Sequence, residues 1–173
     1  MIETERLFLR EMRENDYNAL YAVLADSDIM RHYPYTFDET RVRGWIVKNI
    51  ERYHIFGFGL WAVVLKSDGK MIGDCGLTIQ NINGVYSPEI GYHIRKDCQR
   101  KGYAKEAAAS VRDWTFSNTP FRFVYSYMKS ANTASSFTAH SIGMRKVDEF
   151  LDEENDITEV YGIARAEWEA LSR

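Results

Sequence analysis

The order of periodic segments predicts a mixed α and β fold, class α+β, with about seven strands and four helices. Three observations carry that expectation. Apolar residues alternate in some stretches, as Leu7 and Leu9 do, and recur at three- and four-residue steps in others, as Tyr17, Leu20, Tyr21 and Leu24 do. The first period suits a half-buried strand and the second an amphipathic helix. Asp68-Gly69 separates two apolar runs and supplies the positive φ of a tight hairpin. Residues 94–105 join the end of an alternating run to an Ala-rich segment through a basic loop containing Gly102, which reads as a strand handing over to a helix.

Taken in order, Arg6 to Met12 alternates and forms the first strand. A helix opens at Glu14 or Asn15, buries the Tyr17, Leu20, Tyr21 and Leu24 stripe, and ends near Asp26-Ser27-Asp28. Arg31-His32-Tyr33-Pro34-Tyr35 is an aromatic loop. Thr36-Phe37-Asp38-Glu39 has the form of a capping box, so a second helix runs from there through Trp45, Ile46, Ile50 and Tyr53, and Gly57 and Gly59 close it. Phe58 to Leu65 and Met71 to Ile79 are strands, 81–84 is a turn, and Glu89 to Arg95 is the fourth strand. Ala104 to Phe116 is rich in strong helix formers, with Ala107, Ala108 and Val111 set to face the sheet. Phe121 to Met128 is the fifth strand, and Asn132 and Thr133 cap a short helix that stops at Gly143. Arg145 to Leu151 and Ile157 to Arg165 close the chain as a hairpin around the acidic turn 152–156.

A chain of 173 residues is most simply one domain, 1–173, with enough core to need no staple. The net charge of −3, with both signs scattered, argues against a nucleic-acid binder. Cys75 and Cys98 have neither Cys-x-x-Cys nor His spacing, so no metal is expected and both read as reduced packing residues. No run approaches the ~20 apolar residues of a membrane span, and a cytoplasmic location is the expectation. The 14% aromatic content exceeds what a minimal core requires, which leaves rings to line a pocket.

The loop 94–105 is where chemistry concentrates. Gly102 lets the backbone curl, and the first N–H groups of the following helix can receive an anion, aided by Arg100, Lys101 and Lys105. A pyrophosphate fits such a nest; a solvated basic loop fits the same residues. Gln99-Arg100-Lys101-Gly102-Tyr103-Ala104 resembles the acyl-CoA loop of the GNAT N-acetyltransferases. Met1 to Leu7, Gly59 to Val63, Ile72-Gly73, Glu89 to Tyr92, Asn132 to Ser135 and Gly143-Met144 resemble the RimJ/RimL branch of that family in order. The resemblance implies a mostly antiparallel twisted sheet, splayed between the fourth and fifth strands, that binds acetyl-CoA and transfers its acetyl group to a primary amine. The acceptor would be a protein N-terminus or a small molecule, and a homodimer is common in the family.

The resemblance also assigns roles. Glu89 is the candidate base. The N–H groups of Tyr92, His93 and Ile94 would hold the pantetheine amides and thioester oxygen, and Gln99, Arg100, Lys101, Gly102, Tyr103, Ala104 and Lys105 the pyrophosphate. Asn132 would lie near the pantetheine and Ser135 near the sulfur. The loop carrying His32, Tyr33 and Tyr35 would wall the acceptor pocket. Many relatives place a tyrosine seven positions after that asparagine as the thiolate's proton donor; here the position is Ala139, which leaves Ser135, Tyr127 or water. The side chains of His93 and His140 read as packing or surface groups. The rival function is a catalytically weak acyl-CoA sensor on the same fold. A phosphotransferase is disfavoured because no Gly-x-x-x-x-Gly-Lys-Ser/Thr loop occurs.

Overall fold

The computed structural model describes residues 1–171, so positions 172 and 173 of the expected domain lie outside the described residues. Eight strands form one sheet: β1 (Ile2–Glu3), β2 (Leu7–Arg10), β3 (Leu60–Leu65), β4 (Met71–Ile82), β5 (Val85–Ile94), β6 (Phe123–Lys129), β7 (Arg145–Leu151) and β8 (Ile157–Ala164). The helices are α1 (Tyr17–Leu24), α2 (Glu39–Phe56), α3 (Tyr103–Asn118), α4 (Thr133–Ser141) and α5 (Arg165–Leu171). The sheet order is β1-β2-β3-β4-β5-β6-β8-β7, and among the described residues only the β5–β6 pair is parallel.

The mixed α and β class holds, with one more strand and one more helix than expected among the described residues. β1 spans two residues, too few to show a period. α5 follows β8 without a break; Glu167 accepts from the Ala164 N–H at 2.8 Å and Trp168 Nε1 donates to Asp113 at 2.7 Å. Its helical signal is tertiary rather than local. β4 and β5 also extend further than expected, because 81–84 is not all turn: Ile82 pairs with Val85, leaving Asn83 and Gly84 as a two-residue connection with both φ positive. α2 is capped by Asp38, whose side chain accepts from the Arg41 N–H at 2.8 Å, and not by Thr36. The buried stripe of α1 is Leu20, Val23 and Leu24, while Tyr21 turns to solvent.

The sheet has two differently used faces. Strand alternation puts Asp74, Thr78, Glu89 and His93 on one side, where Trp45 of α2 reaches Asp74. The opposite side carries Trp61, Cys75 and Tyr92, and Trp114 of α3 packs edge-on against Trp61. Leu7, Leu9, Ile72, Leu77, Ile90 and Val111 lie in the core between these layers. Cys75 and Cys98 are both free and buried, as expected. At the far end, the Lys129 ammonium sits among the carboxylates of Asp152, Glu154 and Asp156. Among the described residues no helix is long and apolar enough to cross a membrane.

Candidate active site

The sheet opens between β5 and β6. These strands pair at one register position, Glu89 with Tyr125, and Ser126 Oγ donates to the Ile90 carbonyl at 2.8 Å beside it. Beyond that point β5 continues to Ile94 against β4 alone. Backbone parity then decides what faces the gap: Ile90 faces β6, so Tyr92 and Ile94 turn their N–H groups the same way. His93 has the opposite parity, its carbonyl crowding Gly73 of β4. The expectation that the His93 N–H holds pantetheine is therefore corrected. A cavity of about 1790 Å³ fills the opening, against ~300–1,000 Å³ for a typical small-molecule site, which leaves room for two substrates.

β5 leaves the sheet through a short 3₁₀ turn, Lys96–Cys98, and reaches α3 with Arg100 at φ 58° and Gly102 at φ 83°. α3 starts without a side-chain cap, and its first ladder bond runs from the Glu106 N–H to the Gly102 carbonyl at 3.0 Å. The N–H groups of Tyr103, Ala104 and Lys105 precede that bond and have no partner within the helix. The N-terminal segment holds this turn in place. Arg6 Nε meets Glu106 Oε2 at 2.6 Å, Arg6 Nη1 donates to the Lys101 carbonyl at 2.9 Å, and Thr4 Oγ1 donates to Glu106 Oε1 at 2.6 Å. The one acid in the first turn is thus neutralised, while Arg100 and Lys105 line the cavity. Two expectations change here. Lys101 does not line the cavity, and Gln99 uses its side chain to donate to the Ile94 carbonyl at 2.9 Å, fixing the loop.

On the other side of the cavity a buried chain of polar groups runs inward from α2. Trp45 Nε1 donates to Asp74 Oδ2 at 2.8 Å, Asp74 Oδ1 lies 2.7 Å from His93 Nδ1, and His93 Nε2 lies 2.9 Å from the Tyr33 hydroxyl. Burial lowers the proton affinity of His93, but the Asp74 carboxylate reverses this and leaves the pKa above its ordinary value. Burial holds the Tyr33 phenol well above its usual range. Glu89, 8% exposed, accepts from Thr78 Oγ1 at 2.9 Å. Burial pushes its pKa up to about 7, against the pull of the Thr78 hydrogen bond and of the His93 and Arg52 charges. Gly91 keeps space beside it, since a Cβ there would stand 3.3 Å from Glu89 Oε2.

Residues 6–145 match the family described as "Acetyltransferase (GNAT) domain". The chain belongs to the GNAT acetyltransferase family. It is 32% identical over 142 residues to the uncharacterized protein YkkB of Bacillus subtilis, covering 82% of this chain and 83% of that one. The crystal structure of a GNAT-family acetyltransferase from Bacillus anthracis superposes with TM-score 0.82 at 25% identity, covering 95% of this chain and 98% of the other. At 17% identity the fold is also shared with a spermidine N-acetyltransferase from Vibrio cholerae in complex with CoA and spermine, TM-score 0.75, over 95% and 99% of the two chains. The protein is accordingly an acetyl-CoA-dependent N-acetyltransferase.

The residues of this GNAT enzyme fit acetyl-CoA. The uncapped α3 terminus at the left-handed Gly102 and the unpaired β5 edge at Tyr92 and Ile94 both bring backbone donors to the one cavity. On α4, Asn132 Oδ1 accepts from the Ser135 N–H at 3.3 Å, and Tyr92 Oη donates to the Ser135 carbonyl at 2.8 Å. The Ser135 and Tyr127 side chains line the cavity, and burial pushes the Tyr127 phenol up to about 12. Ala139 is fully buried and does not line it. His32, Tyr33 and Tyr35 all line the opposite wall. Sequence reasoning missed Asp74, Trp45, Thr78 and Arg52. Asp74 was the detectable one: a lone acid inside Met71 to Leu77, otherwise apolar or glycine, must find a buried partner.

Proposed function

We propose that this single-domain enzyme moves the acetyl group by direct attack of a primary amine on acetyl-CoA in a ternary complex. Glu89 carries the reading: a carboxyl group buried where the sheet opens, its pKa about 7, in one cavity with the α3 terminus. A general base works best when its pKa lies near the operating pH. Acetyl-CoA supplies the activated thioester. The N–H groups of Tyr103, Ala104 and Lys105 with Arg100 and Lys105 side chains bind its pyrophosphate, Tyr92 and Ile94 N–H groups bind the pantetheine amide and the thioester oxygen, and Asn132 orders the start of α4 beside it.

Glu89 takes one proton from the acceptor ammonium, directly or through a water. The amine nitrogen forms the bond to the carbonyl carbon, the carbon–sulfur bond breaks, and the second nitrogen proton is lost as the amide forms. Ser135 hands its hydroxyl proton to the departing sulfur and takes back, through water, the second proton that the nitrogen gives up. That help is modest, because a thiol with a pKa of about 8.5 already leaves readily near neutral pH. The acceptor is a protein N-terminal amine or a small amine, as in the RimJ/RimL branch, and the reaction runs in the cytoplasm, with a homodimer as the assembly. Acetyl-CoA incubated with an amine library and read by thiol release tests this. Amine-dependent release that falls by roughly 10² to 10⁴ in Glu89→Gln supports it; no release with any amine refutes it in favour of a sensor.

A further inference from the structure

The acceptor side of the cavity is unexpectedly cationic for a chain of net charge −3. Trp45, Lys48 and Arg52 form one stripe of α2, spaced three and four residues apart, and all three line the cavity. Arg52 is half-buried and makes no ion pair among the described residues. Its one hydrogen bond there runs from Nη1 to Asn49 Oδ1 at 3.2 Å. Asn49 is itself fully buried and rigidly held, its Nδ2 donating to the Trp45 carbonyl at 2.9 Å and its Oδ1 accepting from the Leu60 N–H at 2.9 Å. The guanidinium is therefore aimed by the core, with four of the five donors such a group carries left over.

A desolvated cation without an anion is costly, and burial does lower the Arg52 pKa. Glu89 is near enough to feel its charge but forms no ion pair with it, so a space separates base from guanidinium. The cavity's other acids do not compensate: Asp28 pairs with Lys96, Asp152 belongs to the Lys129 cluster, and Glu153 is exposed on the 152–156 turn and makes no ion pair with Arg52. We infer that the acceptor is a small primary amine bearing its own carboxylate, an amino-acid-class molecule, whose carboxylate is bound by Arg52 while its amine faces Glu89. This rests on the transfer reading above. Arg52 matches carboxylate geometry with two parallel N–H bonds, and Lys48 adds a second positive charge. A polyamine would bring further cations into a wall that already carries two unneutralised ones.

Matched pairs decide it: an amino acid against its decarboxylated amine, such as phenylalanine and phenethylamine, histidine and histamine, lysine and cadaverine, with spermidine and a short peptide alongside. The wild type is expected to show kcat/KM at least about tenfold higher for the carboxylate-bearing member of its preferred pair. Arg52→Gln should raise KM for that member about tenfold and bring the pair's ratio towards one, with Arg52→Lys between. The ratio is used because both members depend equally on Glu89, whose proton affinity Arg52 also tunes. Acetyl-CoA binding by calorimetry verifies that each variant is folded. Thiol release with amines but no carboxylate preference, a preference for spermidine or the peptide, or a ratio unmoved in Arg52→Gln overturns the inference while leaving amine acetylation standing. No release with any amine overturns both.

Discussion

Glu89 is held in a setting that favours its protonated form, so the proposed base opposes folding at alkaline pH. Its folded pKa of about 7 lies above the ordinary 4.5, and the unfolded chain therefore loses this proton first. The stability contributed by the protonated side chain is complete below about 4.5 and is lost as pH rises through 7. Glu89→Gln cannot ionise and should exceed the wild type at pH 9 by up to about 3 kcal/mol in urea melts, with the gap closing towards pH 5. A gap independent of pH would remove the buried carboxylate from this account. In activity, kcat/KM of the wild type should rise with pH through about 7, and the limb should vanish with the carboxylate. Ser135→Ala belongs to the same scale. Its turnover should fall only several-fold, because the thiolate needs little help to leave; a silent Ser135→Ala with a large loss in Tyr127→Phe would move the proton donor to Tyr127. Glu89 and Ser135 could be singled out in the sequence because they stand at motif positions, and both line the cavity. The His93 side chain was not, because its environment is made by Asp74 and Tyr33, 19 and 60 residues away in sequence.

At the scale of elements, the handover from β5 to α3 is the device that presents backbone donors, and glycine is needed at one point in it. Gly102 has φ 83°, and any Cβ would stand 3.2 Å from Arg6 Nη2. Gly102→Val should weaken acetyl-CoA binding at least about tenfold, or ~1.4 kcal/mol, by calorimetry. Unchanged affinity in a folded variant would move the pyrophosphate elsewhere. The loop was readable because a Gly between a basic run and an Ala-rich helix is a local signal. The anchoring of that helix by Thr4 and Arg6 was not, since it pairs residues about 100 positions apart. Boundaries slipped where tertiary contacts outrank propensity: Asp38 took the cap expected of Thr36, and α5 formed from a segment too short to be helical alone.

At the scale of the molecule, a nearly continuous antiparallel sheet contains one parallel pair, and the weakness of that pair creates the site. β5 and β6 diverge from Glu89, so the proposed base, the donor edge and the α3 terminus meet one cavity from different elements. The class and order of elements could be read from periodicity, but the divergence itself entered only through family resemblance, because no residue pattern encodes where two strands part. The architecture predicts that both substrates occupy the cavity together before transfer. Initial rates over a grid of acetyl-CoA and acceptor concentrations test this most directly. Double-reciprocal lines that intersect are the expected result; parallel lines, with thiol released in the absence of acceptor, would show that an acetylated enzyme forms first and would contradict direct transfer.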